Sequence, residues 1–429
     1  VFSFSHSLYQ VAVDAGLALA EIIKYPDPIS PMKYYYFNSW TMLNQLVVVL
    51  LKLEFSIDNI SRIILFLCVL SFALSAFIIV NRFTGNRYLA LLVSILMIVL
   101  EKNFGDTDYP SLIISNHSYG MLGLAISSLI FSLLFNSNYK LSGFFSVLLV
   151  SIHPIIGLWI LFIIIFTSII SKNKKIKVDL AKGAILGSFI TILSFIYFIN
   201  NNLETLDFNV LNFKNYIELW DGHRNKSGLI HYEYLAKTLF LFFVVNIYYF
   251  LIAKNKESFS KLFLNSTIIF SSAFYLLYKF IPEYFPEILI KTMPSRFLIL
   301  HSFIGWPLII SSFYVILSNF NLTKKFTKIF VFTILIFYSI QHYKNFVELK
   351  DGIVKNINQD IILSDTKLFN DISTSDLKGY FITTSNLVGY TNRLALKPVL
   401  IDTASFDFIP YHPYLVDRVF EILEDVYNV

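Results

Sequence analysis

The sequence predicts an all-α polytopic membrane protein with about ten membrane traversals and a small external α/β C-terminal appendage. Three observations predict it. The 429-residue chain is 56% hydrophobic and 17% aromatic, with 15% charged residues, against roughly 45–50% apolar and about 25% charged usage in soluble domains. Apolar runs approaching the roughly 20 residues of a membrane-crossing helix recur from Arg62 onward. Basic residues gather in alternate connections between those runs. With a mean hydropathy of +0.63, this balance excludes a disordered chain, a collagen or coiled-coil rod and a conventional soluble enzyme.

Residues 1–61 are expected to form a first external loop with membrane-surface helices. Trp40 to Leu53 is short for a span and carries Asn44, Gln45 and Lys52, so it fits an amphipathic helix lying along the membrane. Nothing before Trp40 has the basic start and apolar stretch of a cleavable signal. The chain begins on Val1, so its true beginning, with a preceding first span, is expected to lie upstream.

Residues 62–341 form the transmembrane helical domain. Its spans are Arg62 to Val80, Tyr88 to Leu100, Tyr119 to Phe135, Val178 to Ile199, Lys237 to Ile252, Leu262 to Lys279, Phe297 to Leu317 and Phe326 to Ile340. Between the third and fourth lies Leu141 to Ile170, broken by His153-Pro154. Proline removes a backbone donor there, which predicts two short helices meeting at a bend.

The charges orient these spans. Arg82 and Arg87 share one connection, Lys140 sits in the next on that side, then Lys172 to Lys177, Lys254 to Lys261, and Lys324 to Lys328, with Glu257 the one acid among them. Such loops face the cytoplasm. The opposite connections are longer, and all eight histidines fall on or near them, so the chemistry is expected outside. No basic stripe suggests nucleic acid. The single cysteine, Cys68, excludes a cysteine-based metal site and leaves the redox compartment undetermined. Residues 342–429 are expected to be an external α/β region, cut short at its end, with strands near Tyr380 to Thr384 and Val399 to Asp402 and a helix from Pro413 to Tyr427.

Three constellations could carry chemistry. Asp106 and Asp108, in Gly105-Asp106-Thr107-Asp108-Tyr109-Pro110, could turn two carboxylates toward one Mg²⁺ or Mn²⁺, with Glu101 as a third ligand; the plain alternative is a hydrophilic turn. His6, Gln10 and Asp14, at i, i+4 and i+8, would line one face of a helix and place a general base there, or form only its wet face. Asp27, between two prolines, reads as a turn residue. Trp220-Asp221-Gly222-His223-Arg224-Asn225-Lys226 and Met293-Pro294-Ser295-Arg296 gather cations. Arg224 and Arg296 could fork onto phosphate oxygens, while headgroup snorkelling or plain solvation is the simpler reading of each.

His117 and His153 are the histidines expected deepest in the outer half of the bundle, where a histidine before proline can also serve freed backbone groups. Zinc-protease spacing, Gly-x-Ser-x-Gly, Walker and dinucleotide motifs are all missing from the sequence.

This layout resembles the GT-C superfamily, multi-span glycosyltransferases that use polyprenyl-phosphate-linked sugars. The likeness lies in a long first external loop, short basic turns, an acidic pair in the second external loop and an external C-terminal region. Gly105 through Asn116-His117-Ser118-Tyr119-Gly120 to Ser151-Ile152-His153-Pro154-Ile155-Ile156-Gly157, and Asn392-Arg393 followed by Pro398 to Asp402, also look like poorly characterised bacterial GT-C-like membrane families.

The resemblance implies sugar transfer on the outer face of a bacterial cytoplasmic membrane, with inversion at the anomeric carbon. Asp106 and Asp108 would bind a divalent cation against the donor phosphate. Arg296, Arg224, His223, His153 and His117 would hold the lipid-linked donor, and Asp14 or His6 would serve the acceptor hydroxyl. No Asp-Glu pair opens the first loop, so the base stays open between those two. The alternatives are an O-antigen ligase or polymerase relying on Arg224 and His223, a transporter, and a non-catalytic membrane protein.

Overall fold

The computed structural model describes residues 9–26, 30–99, 117–203, 207, 209–219, 232–252, 258–281, 292, 294–319, single positions between 329 and 347, 367–376, 378–382, 391–401 and 409–428. Among them the chain is almost wholly helical.

The first segment folds into three short helices, α1 (Val11–Leu19), α2 (Pro31–Asn38) and α3 (Met42–Lys52). Helix α1 begins later than the His6/Gln10/Asp14 spacing implies. Gln10 is its extended cap residue, at φ −97 and ψ 128, so Gln10 and Asp14 do not share a continuous helical face. Ser30 and Pro31 start α2, the serine accepting from Lys33 N, and Thr41 Oγ1 accepts from Leu43 N to start α3. At 11 residues α3 extends about 17 Å, roughly half a bilayer core. It packs on α1, where a Cβ on Gly16 would come within 2.1 Å of Val47 Cγ1.

Helices α4 (Ile57–Thr84), α5 (Arg87–Val99), α6 (Ser118–Phe135), α7 (Tyr139–Ile152), α8 (Pro154–Ile170) and α9 (Lys174–Asn201) follow. Ser56 caps α4 through Asn59 N, and Gly85, at φ 65, ends it in the left-handed conformation that glycine adopts at least cost. The expected break at His153-Pro154 is present: α7 ends at Ile152, and the His153 ring accepts from Ile156 N to cap α8. Further on come α10 (Val210–Leu219), α11 (Tyr232–Leu251), α12 (Phe259–Phe280), a 3-10 turn at Pro294–Ile299 and α13 (Ser302–Asn319).

Among the described residues four helices, α4, α6, α9 and α12, are long and apolar enough to cross a membrane. Helices α3, α5, α7 and α8 are apolar but shorter, as are the apolar stretches Leu235–Leu251 of α11 and Phe303–Asn319 of α13. Of the span expected at Phe326 to Ile340, only single positions are described.

Helix α6 is apolar all round and 89% buried over its membrane-length window, whereas α9 is 17% buried. A helix apolar on every side belongs inside a bundle, and one that exposes apolar side chains faces hydrocarbon. Helix α9 is held by backbone contact with α7. A Cβ on Gly183 would lie 1.8 Å from Lys140 O, one on Gly143 2.1 Å from Leu180 O, and one on Gly187 2.5 Å from Phe144 O. Small residues of this kind let helices approach where lipid offers no hydrophobic drive. Thr191 Oγ1 adds a bond to Val147 O at 3.1 Å.

The two ends of the bundle differ in chemistry. At one end Phe83, beside Arg82, meets Phe135 and Tyr248, Tyr139 meets Phe259, and Lys261 sits over the Tyr249 ring. The first segment occupies the other end: Thr41 Oγ1 donates to Ile152 O at 2.8 Å, Gln45 Nε2 to Ser194 O at 2.8 Å, and Asn38 Nδ2 to Leu203 O at 3.1 Å.

The tail corrects one expectation. Where two strands are expected, the described residues form only an isolated parallel bridge between Phe381 and Val399. Its bonds are Phe381 N to Pro398 O at 2.8 Å and Leu400 N to Phe381 O at 3.1 Å. A lone pair of short strands is not independently stable, and here the tail is stabilised by docking. Its elements are α14 (Lys367–Thr374), a π turn at Thr391–Ala395, 3-10 turns at Ile409–Tyr411 and Pro413–Leu415, and α15 (Val416–Tyr427), which continues the expected C-terminal helix. Asp417 on α15 accepts from Asn209 N at 3.2 Å and from Asn212 Nδ2 at 2.6 Å.

Two outcomes follow. Gly183→Leu should lower the detergent-solubilised melting midpoint more than Gly85→Leu, because the first forces backbone off backbone while nothing lies within 4 Å of a Cβ at Gly85. Cys68 is buried, so an impermeant maleimide should label cysteines placed at the exposed Glu54 and Lys174 from opposite sides of sealed vesicles.

Candidate functional site

Helix α1 carries a carboxylate through its buried middle: Ala12 to Ala18 are all buried, and Asp14 is 6% exposed. A carboxylate placed there requires compensating donors. The Tyr9 hydroxyl donates to Asp14 Oδ1. Burial, and then the Asp14 charge, push the Tyr9 phenol well above its usual range, while Arg393 acts in the other direction. Tyr9 therefore remains a donor across the working pH range.

Tyr119, at the start of α6, also lies within the field of Asp14 and shares a hydrogen bond with Tyr35. Its hydroxyl donates to Asn44 Oδ1 at 2.8 Å. Asn44 is 1% exposed, and its Nδ2 is a buried donor with no protein partner.

The start of α1 is tied to the bundle. Gln10 N donates to Ser61 Oγ at 3.3 Å, Ala12 N to Ser118 Oγ at 3.2 Å, and Ser118 Oγ to Gln10 Oε1 at 3.0 Å. Asp14 is thus fixed against α4 and α6 rather than on a wet face, which overturns the solvated alternative.

The tail closes this end. Arg393 Nη1 stands 3.7 Å from Asp58 Oδ1, the arginine side chain 8% exposed and the aspartate 51%. The guanidinium lies 5.6 Å from the centre of the Tyr9 ring, within cation–π range. Tyrosines line the junction: Tyr25 meets Tyr36 and Tyr380, Tyr35 meets Tyr36 and His412, and Tyr34 meets Tyr414. Asn38 Nδ2 donates to the Tyr414 hydroxyl at 2.8 Å. His412 places Nδ1 3.0 Å from that hydroxyl and Nε2 3.3 Å from Ser39 Oγ.

Several residues expected to act here lie outside the described set: His6, Asp106, Asp108, Glu101, His223 and Arg224, as does the expected turn residue Asp27. The Arg296 backbone belongs to the Pro294–Ile299 turn, but its side chain is also outside that set. The expectation for the deep histidines is corrected. His117 is exposed and His153 half-buried, its ring against Gly123 and capping α8. Among the described residues the buried histidines are His301, 1% exposed and paired with Thr238, and His412, 8% exposed. The helix that Pro154 starts leaves its first N–H groups without intrahelical acceptors, and the His153 ring takes that of Ile156.

Among the described residues no three His, Cys, Asp or Glu side chains gather into a metal site. Tyr9 and Tyr119 bring hydroxyls to Asp14, the Asn44 amide lies on Tyr119 and the Arg393 guanidinium over Tyr9, a set suited to sugar or phosphate oxygens. Sequence reasoning passed over Tyr9, Asn44 and the Tyr34-Tyr35-Tyr36 run. That run was the available signal, since aromatic hydroxyl residues concentrate at membrane–water interfaces. No protein-family model, no curated protein and no solved structure matches the chain.

Burial holds His412 down to about 4, from an ordinary 6.5. A depressed folded value means that the stability is fully present above the unfolded pKa and lost as pH falls from about 6.5 towards 4. Lowering pH from 7 to 5 should therefore cost roughly 2 kcal/mol at this site, at 1.36 kcal/mol per pKa unit. Melting midpoints of His412→Gln should fall less steeply over that interval than those of the unmodified chain.

Proposed function

We propose that the protein is a membrane glycosyltransferase of GT-C type, moving a sugar from a polyprenyl-phosphate carrier to an acceptor hydroxyl. The observation that carries this reading is the buried Asp14 carboxylate, held by Tyr9 at the tyrosine-lined end, where the Asn44 Nδ2 donor is buried without a protein partner. A carboxylate and an amide among aromatic rings match the hydroxyls and apolar faces of a sugar.

In this reading the acceptor oxygen attacks the anomeric carbon and its proton passes to Asp14. The C–O bond to phosphate breaks, and the phosphate leaves on its lipid with the electron pair. Inversion is what the superfamily resemblance implies. Tyr9 steadies the carboxylate, and Asn44 Nδ2 donates to a substrate hydroxyl. Asp106 and Asp108 would hold a divalent cation, which supplies charge neutralisation at the departing phosphate.

Helices α5, α7, α8, α11 and α13, with the segment around Phe326 to Ile340, bring the traversals to about ten. The Asp14 end faces outward from a bacterial cytoplasmic membrane, because the basic turns gather at the other end. A lipid-linked donor suits that face, which has no supply of nucleotide sugars.

The test is reconstitution with a labelled pool of polyprenyl-phosphate-linked sugars, following label from the organic to the aqueous or acceptor phase. Asp14→Asn should lower the rate by about 10²-fold or more, the range of a positioned general base, while leaving the melting midpoint near that of the unmodified chain. Transfer at an unchanged rate would remove Asp14 from the chemistry and this reading with it.

A further inference from the structure

The tail, disposed by sequence as an appendage, places a cation and an unpaired amide beside the Asp14 cluster. Asn392 is 1% exposed, and its Nδ2 and Oδ1 both lack a protein partner. A buried amide with neither end satisfied is rare in a folded protein and marks a place where a polar group is missing. Arg393, next in the chain, is nearly enclosed, with its guanidinium between the Tyr9 ring and Asp58.

Asp58 fixes the depth of this pair. It sits in the first turn of α4, a 28-residue helix apolar enough to cross a membrane, so Arg393 stands where that helix enters the headgroup layer. Asp58 is half exposed, and the pair is separated by 3.7 Å, a loose arrangement that a more highly charged oxygen group could outcompete.

We infer that Arg393 and Asn392 form the phosphate-binding element of the site, taking the phosphate of a lipid whose chain lies along the α4 entrance. This rests on the glycosyltransferase reading for the identity of the lipid. The chemistry is that of a guanidinium fork on phosphate oxygens, with the Asn392 amide donating to a further oxygen. The tail is then part of the site, and the Arg224 and Arg296 roles expected from sequence are not needed to hold the phosphate.

Binding to the full chain in zwitterionic nanodiscs tests this with four probes: a short-chain polyprenyl monophosphate, the matching prenol, inorganic phosphate and phosphatidylglycerol. Arg393→Ala should weaken the polyprenyl monophosphate at least tenfold and leave the prenol unchanged. Arg393→Lys should fall between, and Asn392→Ala should lose severalfold. Asp58→Asn, which removes the competing carboxylate, should bind at least as tightly as the unmodified chain.

Unchanged binding by Arg393→Ala overturns the proposal, as does an equal loss for the prenol, or a matching loss in Asp58→Asn, which would mean that the arginine only positions the tail. Equal competition by inorganic phosphate or by phosphatidylglycerol would replace the lipid-specific site with a free-phosphate or general headgroup site. Binding is read without transfer. A fully active Asp14→Asn protein would therefore sink the proposed reaction, while the Arg393→Ala result decides the phosphate site separately.

Discussion

A carboxylate inside an apolar helix is the constraint on which this end of the molecule depends. Asp14 sits between Val13 and Ala15, both at 0% exposure, where an uncompensated charge would cost several kcal/mol. Tyr9, from the segment before α1, donates to Asp14; Tyr119 at the start of α6 lies within its field, and Arg393 from the tail stands over the Tyr9 ring. Tyr119 and Arg393 join this cluster because the first segment lies against α4 and α6 and the tail folds back over it. The polar cluster is therefore a clasp as well as the candidate site.

The bundle beneath it is assembled on a different principle. In lipid, apolar side chains gain little by meeting each other, so close backbone approach and internal hydrogen bonds decide which helices associate. The α7–α9 seam follows this rule through Gly143, Gly183 and Gly187. Helix α9 can then expose most of its surface and remain fixed, while α6 is enclosed on all sides. The result is a firm floor under the first segment, with Thr41, Gln45 and Trp40 bonded to α7 and α9.

Charge sorting and side-chain chemistry agree on polarity. Arg82 and Lys261 mark one end, while hydroxyls, amides and the buried Asp14 collect at the other. A 28-residue helix such as α4 spans about 42 Å between these ends, more than a bilayer's hydrocarbon core. The Asp14 end is thus separated from the basic turns by a full membrane thickness.

Composition and periodicity alone determined the helical membrane character, the break at His153-Pro154, the C-terminal helix and the alternation of basic turns, because each depends on local propensity or on transfer from water to lipid. They also singled out Asp14. What they could not supply was its surroundings. Among the described residues the strands expected in the tail reduce to one bridge, because docking, rather than pairing, stabilises that region. The depth of the histidines was misjudged because burial depends on neighbours remote in sequence: His412 is enclosed by Ser39, Tyr35 and Tyr414. Tertiary structure alone decided that Tyr119 brings Asn44, and Tyr9 brings Arg393, to the end of the bundle that holds this carboxylate, since contacts between segments remote in sequence leave no local pattern to read.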